Sequence, residues 1–237
     1  MRTAVVHPVD GLALRGAKEA ADAGFIVPVW VGPKAKIDAS AEAEELDLAP
    51  YECVYTEHSH EAAARTVALA RRGEVDGLMK GSLHTDELMT AVAEHEGGLR
   101  TERRMSHMFA FDVPDHPRPL FITDAGINIY PTLEDKRDIA QNAIDFAHAL
   151  DMEAPKVAIL SAVETVMSKI RSTVEAAALC KMGDRGQITG GILDGPLAFD
   201  NAVSETAAQA KGIDSPVAGH ADILLVPDVE SGNMLAK

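Results

Sequence analysis

Asp194-Gly195-Pro196-Leu197-Ala198-Phe199-Asp200-Asn201-Ala202-Val203-Ser204 is the stretch that decides the fold. The apolar residues 188–193 ahead of it read as a buried strand, and the alanine-rich residues 201–211 read as a helix. A polar elbow punctuated by Gly and Pro therefore sits where a strand hands over to a helix. In open α/β sheets ligands bind outside the carboxyl ends of the strands. A core has no use for two aspartates, an asparagine and a serine around one turn, so the elbow reads as a ligand-holding segment.

The same alternation continues outward from it. Strands are predicted over residues 3–7, 26–31, 75–80, 107–113, 120–123, 156–160, 188–193 and 222–226. Helices are predicted over 12–23, 59–72, 85–94, 133–150, 165–182 and 201–211. Ile139, Ala143, Phe146, Ala147 and Leu150 share one face at helical spacing, which makes 133–150 the clearest helix. The alanine- and glutamate-rich residues 39–45 read as a short solvated helix. Strands alternating with helices predict an α/β fold on parallel sheets. Three prolines within 114–119 predict an extended connector, and thus two lobes, 1–116 and 117–237.

Composition narrows the function classes. The 237 residues carry a formal net charge of −15, which opposes binding to nucleic acid. No apolar run approaches the roughly 20 residues that span a bilayer, so no membrane partner is expected. Cys53 and Cys180 are far apart and lack metal-ligand spacing, as in a reducing, cytoplasmic compartment. Asp124, Asp194 and Asp228 could bind Mg²⁺ together in principle, but nothing in their spacing forces it and no metal is expected.

Five strand ends carry polar clusters, each open to two readings. In Lys80-Gly81-Ser82-Leu83-His84-Thr85, the glycine lets an anion approach, Ser82 and Thr85 can cap a helix or donate to phosphate, and Lys80 adds charge. A well-capped helix with His84 at the surface explains it equally well. Arg103-Arg104-Met105-Ser106-His107 offers guanidinium forks with Ser106 and His107 beside them, or plain surface ion pairs. Asp124 and Asn128 bind a ligand or form an Asx-turn. In the 194–204 run an N-cap at Asp200 or Asn201 leaves Asp194-Gly195-Pro196 unexplained, which favours a functional reading. Ser231-Gly232-Asn233 opens a last helix whose N-terminus favours an anion, or is itself a cap.

Taken in order, these segments resemble the phosphate acetyltransferase/phosphate butyryltransferase family. The carrying residues are 79–85, 104–107, 122–128, 194–202 and 227–234, and the form is nearest the branch fused to an enoyl-CoA hydratase domain. The resemblance implies reversible acyl transfer between coenzyme A and inorganic phosphate, with coenzyme A as substrate and no permanently bound cofactor. It implies two three-layer α/β lobes with an interlobe cleft, similar to isocitrate and isopropylmalate dehydrogenases, and a homodimer. Ser82, Thr85 and Arg104 are expected to hold phosphate or acyl phosphate, with Asp194, Asn201 and Asn233 lining the thioester end. Lys80, His84, Ser106, His107, Asp124, Asn128 and Ser231 complete the expected substrate-binding set.

The family's chains continue beyond the helix begun at Ser231. A Ser-Arg-Ala-Asp type segment there supplies a serine and an aspartate, so the catalytic pair is expected outside this sequence. If the 237 residues were the whole chain, weak or no transfer and an incomplete second lobe are expected; if they are part of a longer chain, the full protein is expected to be active. Two other readings follow from the same residues. A non-catalytic acyl-CoA-sensing module would keep the ligand residues without turnover. A metal- and NAD-dependent β-decarboxylating dehydrogenase of the same fold would need more arginines than Arg137, Arg171 and Arg185 in the second lobe.

Overall fold

The computed structural model describes residues 1–114 and 118–237. They form two compact units, residues 1–102 and 103–237. Each is an α/β layer structure around its own sheet.

Unit 1 contains β1 (Arg2–Val6), α1 (Gly11–Asp22), β2 (Val27–Gly32), α2 (Lys34–Ala43), β3 (Glu52–Tyr55), α3 (Ser59–Arg71), β4 (Gly77–Lys80) and α4 (Thr85–Val92). Its sheet is parallel, in the order β3-β2-β1-β4. Side chains alternate across a strand, and the core follows that rule. Ala4, Val6, Val29 and Val31 pack against α3 and α4 on one face. Val5 and Trp30 pack against Leu14 and Ala17 of α1 and Ile37 and Ala41 of α2 on the other. The solvated helix predicted at 39–45 is therefore α2, starting earlier and burying Ile37 and Ala41.

Unit 2 contains β5 (Met108–Phe111), β6 (Leu120–Thr123), α5 (Leu133–Ala149), β7 (Lys156–Leu160), α6 (Arg171–Asp184), β8 (Ile192–Leu197), α7 (Phe199–Val203), α8 (Glu205–Ala210), β9 (Ile223–Leu225) and α9 (Val229–Ala236). The order is β5-β6-β9-β7-β8, with β5 antiparallel to β6 and the other pairs parallel. Leu120, Ile122, Ala158, Leu160 and Leu224 face α7 and α8. Phe121, Val157, Ile159, Ile223 and Leu225 face α5 and α6.

Several expectations are corrected. The units divide at 102/103 rather than at 116/117, because β5 pairs with β6 and so belongs to the second sheet. Residues 115–117 of the proline-rich stretch lie outside the described residues. The strand predicted at 188–193 is displaced to 192–197. Asp194-Gly195-Pro196 is thus strand rather than elbow, with Asp194 opposite Ala158 and Leu197 opposite Leu160. Pro196 is tolerated because β8 is an edge strand. The helix predicted at 201–211 is two, α7 and α8, with Ser204 capping the second through Ala207 N. The helix predicted at 165–182 starts only at Arg171. Its predicted first turns are a loop tied down by Thr173, whose hydroxyl meets Met167 and Ile170. Along α5, Ile139, Ala143 and Ala147 are buried as expected, but Phe146 and Leu150 are exposed.

Candidate functional site

Strand direction gathers the polar clusters at the carboxyl edges of the sheets. In unit 1, β1 leads into α1 on one face and its neighbour β4 leads into α4 on the other. Neighbouring strands whose chains leave to opposite faces open a crevice between their ends. Residues 7–10 and 81–85 line it. Gly81 is required there: a Cβ would lie 2.4 Å from Val6 O and 2.9 Å from both His7 O and Pro8 Cα.

The hydroxyl of Ser82 accepts from Val9 N at 3.1 Å and donates to Asp10, the N-cap of α1. Those contacts occupy it, and the Ser82 bond, with Ala13 N–H, holds the Asp10 carboxyl below its ordinary range. Neither Ser82 nor Thr85 caps α4. The N-cap position is His84, without a side-chain bond, and both His84 and Thr85 are exposed. Lys80 folds back, its Nζ donating to the carbonyls of Gly81 (3.2 Å) and Leu83 (3.0 Å). His7, which the sequence reading did not single out, sits at this edge at φ 53° with Nδ1 buried and unpartnered among the described residues. Burial, followed by Lys36, lowers its pKa.

In unit 2 the corresponding neighbours are β6, which leads into α5, and β9, which leads into α9 on the other face. Because β5 runs antiparallel, its beginning lies beside the end of β6. The segments 103–107, 124–128 and 226–233 therefore meet at one edge. Asp124, buried, organises them. Its Oδ1 accepts from the N–H groups of Gly126 (2.8 Å) and Ile127 (2.9 Å). Its Oδ2 accepts from the N–H groups of Asn128 and His107 (both 3.2 Å) and from Asn128 Nδ2. Asn128, also buried, sends Nδ2 to Met105 O at 2.9 Å and receives Arg104 Nε on Oδ1 at 2.7 Å. Both side chains form an Asx-type turn and tie it to the arginine segment, so neither carries free polar atoms toward a ligand.

The arginine segment is clamped from the α5 side as well. Arg103 pairs with Asp145 at 2.5 Å and bonds Asn142. Arg104 N donates to Asp138 at 3.0 Å, and Asn142 Nδ2 donates to Arg104 O (2.8 Å) and Ser106 Oγ (3.0 Å). Arg103 is thus a structural residue. Arg104 is exposed, and among the described residues its guanidinium is approached by Asn128 and by Asp135, the latter 3.6 Å from its Nε. Among the described residues its two terminal nitrogens are without a partner. The ring of His107 packs edge-on against Phe109 with centroids 4.6 Å apart, and its Nδ1 is buried without a partner among the described residues.

At the start of α9, Asp228 is the N-cap, accepting from Ser231 N at 2.9 Å and from the Ser231 hydroxyl at 2.8 Å. Asn233 Nδ2 donates to Ala125 O at 3.1 Å. Gly232 lets this helix touch the Asp124 turn, since a Cβ would lie 2.7 Å from Val226 Cγ2 and 3.0 Å from Asp124 O. Ser231 therefore follows the capping reading, and Asn233 pins α9 to the turn. The structure does not bring Asp194 to this edge. It lies within β8 on the side of Cys180, whose thiol is pushed up to about 12 by burial and then by Asp194. Asn201 is fully buried, and neither Oδ1 nor Nδ2 has a partner among the described residues. Among the described residues no group of three or more potential metal ligands gathers, and no helix is long and apolar enough to cross a membrane.

Comparison with known proteins identifies the family. The family described as Phosphate acetyl/butaryl transferase matches residues 55–237. A phosphate acetyltransferase of Rhizobium meliloti is 63% identical over 235 residues, covering 99% of this chain and 74% of its own. A phosphate butyryltransferase of Clostridium beijerinckii is 42% identical over 236 residues, covering 100% of this chain and 78% of its own. A solved branched-chain phosphotransacylase from Enterococcus faecalis V583 superposes with a TM-score of 0.84 at 26% identity, over 99% of this chain and 82% of its own. From the last residue of β3 onward, through every polar edge of the second sheet, the chain belongs to the phosphate acetyl/butyryl transferase family.

Proposed function

We propose that this chain is an acyltransferase moving an acetyl or short-chain acyl group reversibly between coenzyme A and inorganic phosphate. In one direction the thiolate of coenzyme A attacks the carbonyl carbon of an acyl phosphate. The C–S bond forms, the C–O bond to phosphorus breaks, and phosphate leaves with the electron pair. Two anionic reactants must be oriented and a developing oxyanion stabilised. The observation that supports this best is the Arg104 guanidinium, held through Nε while its outer nitrogens stay unpaired among the described residues.

We assign Arg104 to the phosphoryl oxygens, with the Ser106 hydroxyl beside it. On unit 1 the exposed Thr85 is assigned to a substrate phosphate, and Ser82 to holding the loop that presents it. The isocitrate/isopropylmalate dehydrogenase-like description, a homodimer and a cytoplasmic location are carried by the resemblance and belong to the same proposal. One methylene changes discrimination by only about 1–3 kcal/mol, so acetyl, propionyl and butyryl groups all fall within the proposal.

The test is phosphate-dependent release of coenzyme A thiol from acetyl-CoA, followed with a thiol reagent. A charge-assisted hydrogen bond contributes about 1.5–3 kcal/mol, so Arg104→Ala is expected to raise the phosphate KM roughly 10- to 150-fold. An unchanged phosphate KM overturns the assignment of Arg104. Absence of phosphate-dependent thiol release by the full-length protein with acetyl, propionyl and butyryl thioesters overturns the function.

A further inference from the structure

We propose that Asn128 and Asp124 are positioning residues that fix Arg104 by its Nε, so that it offers only its Nη1–Nη2 end to a tetrahedral phosphoryl group. The inference rests on the reading that Arg104 takes phosphate. A guanidinium has five N–H donors in one plane and can fork onto an anion along a side edge, Nε with one Nη, or along the end. The 2.7 Å bond from Arg104 Nε to Asn128 Oδ1 occupies the side edge. The end remains.

Asn128 can play this part in only one orientation. Its Nδ2 faces two acceptors, the carbonyl of Met105 at 2.9 Å and the Asp124 carboxylate. A flipped amide would point its oxygen at both of these and its N–H groups at the guanidinium. Asp124 is in turn fixed by four backbone N–H groups, from His107, Gly126, Ile127 and Asn128. The chain of direction thus runs from backbone to carboxylate, to amide, to guanidinium. It is buried except at its last member, since Asp124 is 2% and Asn128 3% exposed. A surface arginine ordinarily samples many rotamers, at an entropic cost when it binds. An arginine held at Nε, with its backbone clamped by Asp138 and Asn142, has much of that freedom removed beforehand. The orientation of Arg104 is therefore the business of residues that never meet the substrate.

The experiment combines proton NMR of the arginine side chains with kinetics on the full chain. In the unsubstituted protein the Arg104 Nε–H resonance, assigned by its loss in Arg104→Lys, is expected to exchange with water at least about tenfold more slowly than that of the exposed Arg185. In Asn128→Ala that protection is lost, the phosphate KM rises roughly 3- to 10-fold, and the coenzyme A KM stays within about twofold; these sizes follow from losing one orienting hydrogen bond. The double variant Asn128→Ala/Arg104→Ala is expected to match Arg104→Ala alone, because the asparagine acts only through the arginine. An Nε–H in the unsubstituted protein that exchanges as fast as Arg185 overturns the inference even if Asn128→Ala fails to fold. So does a phosphate effect of Asn128→Ala that multiplies with that of Arg104→Ala. A protected Nε–H with no kinetic effect of Arg104→Ala leaves the orientation standing and removes phosphate as its purpose, which overturns the inference as stated and the assignment of Arg104 above.

Discussion

Lys136 and Glu175 form a buried ion pair between α5 and α6, and its removal gives a measurable result. Nζ lies 2.7 Å from Oε2, and the side chains are 5% and 11% exposed. Removing one partner of such a pair costs about 3–5 kcal/mol, because the other charge stays buried and uncompensated. Lys136→Met keeps the apolar stem and removes only the ammonium. Glu175 then retains Arg171, whose Nε lies 2.6 Å from Oε1, but the Arg171 side chain is 70% exposed. Such a solvated partner offsets no more than about 1 kcal/mol, so a loss of about 2–4 kcal/mol is expected. Glu175→Gln, which strands the ammonium instead, is expected to lose a similar amount. The double variant Lys136→Met/Glu175→Leu places two apolar side chains beside the cluster of Ile139, Ala140 and Leu179 and is expected to come within about 1 kcal/mol of the unsubstituted chain. Urea unfolding followed by circular dichroism reads this directly. With a slope of about 2 kcal/mol per molar, each single variant lowers the midpoint by about 1–2 M. A Lys136→Met midpoint within roughly 0.3 M of the unsubstituted value would refute the reasoning, since it would mean that the pair is hydrated.

Gly81→Ala is expected to lose about 3 kcal/mol, the upper end for overpacking, because its Cβ would overlap backbone atoms on three sides. Gly16→Ala in α1, where a Cβ meets nothing within 4 Å, is expected instead to gain about 0.5–1 kcal/mol; thermal melts of both variants check the opposite signs. Asp138 and Asp145 provide a pH dependence. Desolvation acts to raise their pKa values, but bonds from Arg104 N and Arg137 to Asp138, and from Arg103 and Gln141 to Asp145, outweigh it and hold both below 3.8. The unfolded chain thus binds more protons, so their stabilisation is complete above the unfolded value and is lost as pH falls through the folded values. Urea midpoints measured from neutral pH into this acid range are expected to fall less steeply for Asp138→Asn; an unchanged slope contradicts the assignment.

The α/β alternation was legible because long amphipathic helices and β-branched runs announce themselves. Glu52-Cys53-Val54-Tyr55 carries little strand signal of its own, because it is short, begins with a charge and is defined by pairing with β2. The end of β8 is hidden in the sequence because Gly and Pro ordinarily break strands, and nothing local says that residues 192–197 form a sheet edge. Residue type alone does not say which polar side chains the protein satisfies internally. Asp124, Asn128 and Ser231 all lie at the carboxyl edge, yet their polar atoms are satisfied within the protein. Arg103 is tied down by Asn142 and Asp145, about forty residues away, while the terminal nitrogens of Arg104 keep no partner among the described residues, and no pattern within the segment encodes that difference. The spacing Asp124-x-x-x-Asn128 was the one available signal of an Asx turn.

The antiparallel course of β5 also determines where the chain can vary in length. Joints between compact units ordinarily absorb insertions and deletions with little harm. Here the joint has no slack on its downstream side. Arg103 is fastened to α5 immediately after the division at Glu102, and Arg104 is fastened at its N–H, its carbonyl and its Nε. One residue gained or lost between 103 and 107 would shift β5 against β6 and swing the guanidinium away together. Length changes before Glu102 would leave that register intact. A fusion or tag inserted on the upstream side is therefore expected to spare the second sheet, whereas one inserted between 103 and 107 is not.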